Sequence, residues 1–164
     1  MKRTLLPALL TALALAGTAG AATTPAADKA VADKAVGRHL DTLGYTYDID
    51  EDGDYRLVFD MEGDRSQMVY VRSAVEDFGS HTIREVWSPA YQASTRQFTA
   101  QVANRLLEDS QDAKMGGWVK QDKVAMFVVK IDANASAEQL SDAIDAAIRT
   151  ADAMELELTK KDDF

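Results

Sequence analysis

The chain has 164 residues, the size of one domain, with a formal net charge of −9 and no cysteine. An acidic surface repels phosphates and anionic lipid headgroups, so the composition argues against nucleic-acid binding. The missing cysteine excludes disulfide bridges, cysteine nucleophiles and a lipid attached to a cysteine side chain.

The first 21 residues have the pattern of a bacterial secretory signal peptide. Lys2 and Arg3 are basic, residues 5–15 are mostly apolar, and residues 19–21 form a small-x-small cleavage site. The apolar run is shorter than the roughly 20 residues that cross a bilayer. We therefore predict cleavage after Ala21, a periplasmic or secreted location and no stable membrane anchor. Lys2 and Arg3 are the only charged residues removed, so 16 basic and 27 acidic residues would remain, a net charge of −11.

The rest of the chain divides into a short leader, one domain and a tail. Residues 22–30 are rich in alanine and are predicted to be flexible. Residues 31–159 are predicted to form a single domain, and residues 160–164 a charged tail. A helix opens the domain, and Gly44 is predicted to end it, because glycine accepts the left-handed conformation of a helix C-terminus. The apolar stripe of this helix is formed by Val36, Leu40 and Leu43.

Two runs of alternating residues joined by an acidic turn predict the first hairpin. Residues 45–49 and 55–61 alternate apolar and polar side chains, as strands with one buried face do. Asp52-Gly53 lies between them, and glycine accepts the positive φ that tight hairpin turns need. After a second turn at residues 62–65, residues 67–72 are apolar on both faces. We therefore place this third strand inside the sheet.

The middle of the chain has weaker patterns. Residues 73–81 are predicted to be a loop, and residues 82–87 a short strand that a Ser-Pro pair ends. Ser94 or Thr95 can cap the next helix, over residues 94–109. The apolar face of that helix could serve either the core of the monomer or a two-fold interface.

A second hairpin and a long helix complete the domain. Residues 118–120 and 124–132 are predicted strands, and the second is apolar enough to lie inside the sheet. Ser136 and Gln139 form a capping-box pattern before an amphipathic helix. Hairpins grouped between helices indicate the α+β class: an antiparallel sheet of about five strands packed by three helices, in the order α-β-β-β-(β)-α-β-β-α.

No residue pattern indicates catalysis or metal binding. Residues 48–53 open like a calcium loop, but the twelfth position, where an EF-hand has a bidentate glutamate, is Phe59. The two histidines, His39 and His81, lie in different predicted elements and in no zinc or serine-triad motif. We therefore predict no catalytic, metal-binding or cofactor-binding residues and no cofactor. An envelope enzyme that uses carboxylates or a metal ion together with His81 stays open as an alternative.

Aromatic residues are the best candidates for a binding site. Trp87, Tyr91 and Trp118 could line an apolar groove, since tyrosine and tryptophan are favoured at protein interfaces. The alternative for each of them is packing in the core or on a sheet face. Trp87 stands before a Ser-Pro pair and Trp118 follows two glycines, which favours the groove for these two.

Seven short motifs occur in order across residues 36–158. They are Leu43-Gly44-Tyr45, the acidic hairpin Asp50-Glu51-Asp52-Gly53-Asp54-Tyr55, Arg65-Ser66-Gln67, Glu85-Val86-Trp87-Ser88, Leu106-Leu107-Glu108, Gly116-Gly117-Trp118 and Ala151-Asp152-Ala153-Met154-Glu155. In this order they resemble the YbjN family, bacterial proteins once described as sensory transduction regulators. The resemblance implies a fold like that of type III secretion chaperones, a chaperone-like role and frequent homodimerisation. It implies no catalytic residues, and the export signal departs from the common cytoplasmic members.

These observations lead to one expectation and two alternatives. We expect an exported, non-enzymatic protein that binds another polypeptide through an apolar groove on its sheet, with a homodimer as an open option. The first alternative is a metal-dependent or carboxylate-using envelope enzyme. The second is a structural subunit of an envelope complex.

Overall fold

The computed structural model describes residues 31–164, so the predicted signal peptide and the predicted flexible segment at residues 22–30 lie outside the described residues. The described part contains three helices and six strands. In chain order they are α1 (Lys34–Leu43), β1 (Asp48–Ile49), β2 (Tyr55–Met61), β3 (Arg65–Phe78), β4 (His81–Gln92), α2 (Ala100–Asp112), β5 (Gly117–Gln121), β6 (Val124–Asp132) and α3 (Ala137–Thr159).

The six strands form a single antiparallel sheet in the order β1-β2-β3-β4-β6-β5. The predicted α+β class and antiparallel sheet are confirmed, and the strand given in parentheses in the predicted order is present as β4, which makes six strands where about five were expected. Strands β3 and β6 lie inside the sheet, as their apolar runs predicted. Only β1 and β5 lie at its edges.

The helices pack on one face of this sheet and build two hydrophobic clusters. In the larger cluster, Leu40 of α1 and Ile144 of α3 pack with strand residues such as Leu57 and Phe127. In the smaller one, Leu106 of α2 packs with residues of α3, β4 and β6. The core therefore lies between the sheet and the helices, and the opposite face of the sheet has no helix over it in residues 31–164.

Local sequence signals account for the ends of two helices. Gly44 follows α1 with φ 72°, the left-handed conformation predicted for it. Ser136 accepts the N–H of Gln139, whose side chain in turn accepts the N–H of Ser136, so the predicted capping box is confirmed. These signals act over three or four residues, which is why the sequence shows them directly.

The start of α2 differs from the prediction. The helix runs over Ala100–Asp112, not over residues 94–109, and its N-cap is Thr99, whose hydroxyl accepts the N–H of Val102 at 3.2 Å. The predicted caps Ser94 and Thr95 lie before it, and the Thr95 hydroxyl accepts the N–H of Gln97 in a local turn. Several hydroxyl side chains in one stretch can cap a helix, and the packing of the helix decides between them.

The predicted loop at residues 73–81 is wrong. Strand β3 continues to Phe78 and β4 begins at His81, so this stretch is an exposed two-stranded arm. Because most side chains of the arm lie in solvent, no alternation marks it in the sequence. The predicted strand 82–87 also continues through Pro89 to Gln92. The proline is tolerated because β4 has left β3 there, and the register with β6 shifts next to it.

The first predicted strand is shorter than expected. Only Asp48–Ile49 pairs with β2, whereas Tyr45 and Tyr47 pack against the core and contact helices. The Tyr45 hydroxyl hydrogen-bonds Ser141 of α3 at 2.8 Å, and the Tyr47 hydroxyl donates to Asp41 at 3.0 Å. The two tyrosines alternate with polar residues in the sequence because both pack on the same side of a segment that is not a strand.

The predicted charged tail is part of the fold. After α3, Lys160 adopts φ 59° and the chain turns back toward β3. The Met68 N–H donates to the Phe164 carbonyl oxygen at 2.9 Å, and the Ser66 N–H donates to Asp162 at 3.1 Å. Residues 160–164 therefore supply hydrogen-bond acceptors to β3 where β4 has diverged from it.

Candidate functional site

The face of the sheet opposite the helices carries a band of apolar and aromatic side chains. Tyr70, Trp87 and Val128 are aligned across β3, β4 and β6, and Met126 is aligned with Val119 of β5. The chain neighbours of these residues lie in the core beneath the helices, so alternation directs these side chains to the open face. Val119 has 46% of its surface exposed. Met126 and Val128 are buried, whereas Tyr70 and Trp87 are partly exposed, so the accessible apolar surface of the band is formed by Tyr70, Trp87 and Val119.

A hollow of about 320 Å³ lies on this face, and we call it the open-face groove. Its lining comes from both hairpins, because the twisted sheet brings the β1–β2 turn and the end of β5 toward each other across the strands. Asp50, Asp52 and Asp54 belong to the acidic turn, and Gln121 ends β5. The remaining lining residues are Tyr70, Arg72, Trp87 and Met126.

Hydrogen bonds within the chain shape the acidic turn. One carboxylate oxygen of Asp50 accepts the N–H groups of Asp52 at 3.0 Å and Asp54 at 2.9 Å. Gly53 has φ 78° and donates its N–H to the carbonyl oxygen of Asp50 at 3.1 Å. An aspartate that caps its own turn and a glycine at positive φ are the residues that this geometry requires. The turn is therefore built by its own sequence.

Asp54 is buried at the base of this turn. Its carboxylate accepts the N–H of Ser73 at 2.7 Å and lies against the guanidinium of Arg72 in an ion pair that is not aligned as a hydrogen bond. Burial raises the pKa of Asp54, although the Ser73 N–H and Arg72 both act in the opposite direction. A buried carboxylate with a single cation beside it depends strongly on that cation.

Trp87 is fixed from two directions. The guanidinium of Arg72 lies 4.3 Å from the centre of its ring, within the range of a cation–π interaction. Its indole N–H donates to Glu85 at 2.8 Å, and Glu85 also pairs with Lys130 at 2.9 Å. The aromatic surface in the groove is therefore held in place before anything binds to it.

The structure does not bring the three predicted binding residues together. Trp87 lies in the open-face groove, whereas Tyr91 and Trp118 pack beneath α2 and α3. The ring of Tyr91 packs edge-on against Phe98 at 5.7 Å. The ring of Trp118 packs edge-on against Phe127 at 5.3 Å, and its N–H donates to Asp109.

Sequence reasoning missed Tyr70, Arg72 and Met126 as groove residues. The only available signal was the alternation of Met68 and Tyr70 along β3, which marks a face without saying whether helices cover it. The acidic turn was recognised as a turn, but its position over the open face depends on the twist of the whole sheet.

The histidines lie apart from this groove. His81 is exposed and borders a separate shallow hollow with Lys130 and Asp132, and His39 is half-buried on α1. Among residues 31–164, no group of three or more histidine, aspartate or glutamate side chains is placed to hold one metal ion. The carboxylates of the acidic turn are therefore not arranged as a metal site.

A second cluster of charges ties the C-terminal segment to the sheet. Arg65 donates to Asp152 at 2.8 Å and lies 3.5 Å from Glu155, which is fully buried. Glu155 also accepts the N–H of Asp163 at 2.6 Å. Burial raises the pKa of Glu155, while the Asp163 N–H and Arg65 lower it. This cluster borders no lining residue of the open-face groove and is explained by its role in the fold.

A scan against protein-family models finds no match for this chain, and no curated protein or solved structure matches it. Within residues 31–164, no helix is long and apolar enough to cross a membrane.

Proposed function

We propose that this protein is a non-enzymatic binding protein that holds a segment of another polypeptide in the open-face groove. The observation that carries the proposal is the partly exposed surface of Tyr70, Trp87 and Val119, next to the buried Met126 and Val128, on a sheet face that no described helix covers. A sheet face turned to solvent usually carries polar side chains. Apolar and aromatic residues concentrated there favour contact with another chain.

The rigidity of Trp87 supports this role. Aromatic side chains at the centre of an interface contribute much of the binding free energy, and they contribute most when they are ordered beforehand. Arg72 on the ring and Glu85 on the indole N–H hold Trp87 in one position. A partner side chain that packs on this ring therefore binds without the entropy cost of ordering it.

The volume of the hollow also suits one or two side chains of a bound polypeptide better than a large cofactor. Its volume of about 320 Å³ lies at the lower limit of small-molecule pockets, which extend from roughly 300 to 1,000 Å³. Two exposed valines lie on the same sheet face: Val119 is aligned with Met126, and Val58 is aligned with Met68, with its chain neighbours packed in the core. An extended segment could place one or two side chains in the hollow and continue across the strands.

The wider identity of the protein forms part of the same proposal. The α+β sheet with helices on one face supports, at the level of fold class, the resemblance to the YbjN family and its type III secretion chaperone-like fold. Export and homodimerisation remain predictions from the sequence. So do the two alternatives, an envelope enzyme and a structural subunit, which no specific geometry of residues 31–164 favours.

Site-specific photo-crosslinking in the organism that makes the protein tests this proposal. A photoreactive amino acid replaces Val119 or Val58 on the open face and, as the control, Arg149 on the solvent side of α3, whose side chain is 72% exposed. We expect the same polypeptide to crosslink at both open-face positions and not at the control. Equal crosslinking at all three positions, or none at the open face, would reject the proposal.

A further inference from the structure

We propose that the polypeptide segment held in the open-face groove is basic, with lysine or arginine side chains next to apolar ones. This inference rests on the proposed function and specifies the chemistry of the partner. It combines the apolar floor of the groove with the charges along one of its sides. Neither feature alone would identify the partner, because apolar floors accept many chains and acidic turns are common on surfaces.

The charges of the groove are strongly unequal. Asp50, Asp52 and Asp54 line one side, and Arg72 is the single basic residue among the lining residues. Arg72 already pairs with Asp54. Asp50 and Asp52 have no ion pair with any basic side chain of residues 31–164. A cation that enters the groove therefore meets two carboxylates that pair with no basic side chain of the described residues, next to the ring of Trp87.

The aromatic floor of the groove also favours lysine and arginine side chains. The stems of lysine and arginine are apolar and pack on aromatic rings while their charged ends reach toward polar groups. Trp87 and Met126 provide the apolar surface, and the acidic turn stands at its margin. A segment that alternates basic and apolar residues can direct its basic side chains toward the acidic turn and its apolar side chains toward Trp87 and Met126, because alternate side chains of an extended chain point in opposite directions.

Other occupants fit this groove less well. A second copy would bring its own acidic turn and a net charge of −9 toward the same surface, so like charges would approach each other. Phosphates of nucleic acids and anionic lipids are repelled for the same reason. A bare metal ion is not favoured, since no group of three ligating side chains converges in the described part of the chain. A basic polypeptide is the occupant that the charges favour.

Calorimetric titration with three synthetic peptides of equal length tests the inference. The peptides alternate valine with lysine, with glutamine or with glutamate, and both ends are capped. We expect the lysine peptide to bind about tenfold more tightly than the glutamine peptide, and the glutamate peptide to bind most weakly. Added salt should weaken only the lysine peptide toward the level of the glutamine peptide.

Three variants locate the binding. Asp52→Asn should weaken the lysine peptide several-fold and leave the glutamine peptide unchanged. Asp142→Asn is the matched control, because Asp142 is exposed on α3 away from the groove and carries the same charge. Trp87→Ala should weaken both peptides.

The outcomes separate the two proposals. Equal affinity for the lysine and glutamine peptides, lost in Trp87→Ala, would overturn the basic partner and leave the proposed function standing. The absence of binding by every peptide would overturn the basic partner, and the crosslinking experiment would still decide the proposed function. Lysine-peptide binding that Trp87→Ala and Asp52→Asn leave unchanged would overturn both, because the site would lie elsewhere.

Discussion

Arg72 joins the two halves of the open-face groove. Its guanidinium lies 4.3 Å from the centre of the Trp87 ring and also contacts the buried carboxylate of Asp54. One side chain thus orients the aromatic floor and neutralises the base of the acidic turn. The stability of the turn and the order of the floor should therefore change together.

Replacing Arg72 by methionine keeps a long apolar side chain and removes the cation. We expect the free energy of unfolding to fall by about 1–3 kcal/mol, because Asp54 stays buried without its partner and the cation–π interaction is lost. Urea denaturation measures this change. The control is Arg149→Met, which breaks an exposed pair with Asp145 and should change stability by less than about 0.5 kcal/mol.

The effect of Arg72→Met should depend on pH with a defined sign. Asp54 has a raised pKa in the folded protein, and loss of Arg72 raises that pKa further. At low pH Asp54 is protonated in both proteins, so the ion pair contributes nothing to their difference. We therefore expect a larger loss of stability at pH 7 than at pH 4. An equal loss at both pH values would show that Asp54 does not depend on Arg72.

Gly116 and Gly63 allow a steric effect to be separated from backbone strain. Both glycines have φ 78°, so alanine is strained equally at either position. A Cβ at Gly116 would overlap the carbonyl oxygen of Val128, whereas nothing lies within 4 Å of a Cβ at Gly63. We expect Gly63→Ala to cost about 1–2 kcal/mol and Gly116→Ala clearly more. Thermal and urea unfolding measure the difference, and equal losses would contradict the close approach of Gly116 to β6.

Removing residues 161–164 tests the role of the C-terminal segment. Ser66 and Met68 donate their backbone N–H groups to this segment. Without it, we expect hydrogen exchange at these two amides to accelerate by orders of magnitude, while exchange at Val69, inside the β2–β3 pairing, changes only with global stability. Amide exchange followed by nuclear magnetic resonance measures this. Unchanged protection at Ser66 and Met68 would show that the segment does not complete the sheet.

Glu155 should give the stability a pH dependence that Glu155→Gln removes. Burial raises the pKa of Glu155 in the folded protein above the usual 4.5. Below that value the carboxyl is protonated and does not lower the stability, whereas above the raised pKa the buried charge lowers the free energy of unfolding. The stability of Glu155→Gln relative to the natural protein should therefore improve between pH 4 and pH 8. A relative stability that falls over this range would show that Arg65 outweighs burial.

Features that depend on a few neighbouring residues could be predicted from the sequence. The end of α1 at Gly44, the capping box of Ser136 and Gln139, and the apolar stripe of α3 each follow from local chemistry. Asp52-Gly53 likewise indicated the first turn, and its glycine has the positive φ that such a turn needs. Grouping of these elements in hairpins was enough to predict the α+β class.

Features that depend on distant parts of the chain could not be predicted. Trp118 is aligned with Phe127 and faces the helices, whereas Trp87 is aligned with Val128 and faces away from them. A shift of one residue in the register would reverse either placement. The sequence alone also does not show that all three helices lie on one face. The groove follows from register, twist and helix placement together, so it became visible only in the structure.

The two tryptophans provide the most direct test of binding at the open face. Each indole N–H donates to a carboxylate at 2.8 Å, Trp87 to Glu85 and Trp118 to Asp109, and they differ in the face of the sheet on which they lie. In a sample labelled with nitrogen-15, titration with the lysine–valine peptide, or with the partner found by crosslinking, should shift the indole signal of Trp87 to saturation and leave that of Trp118 in place. A shift of Trp118 alone, or of neither signal while the ligand binds, would contradict binding at the open-face groove.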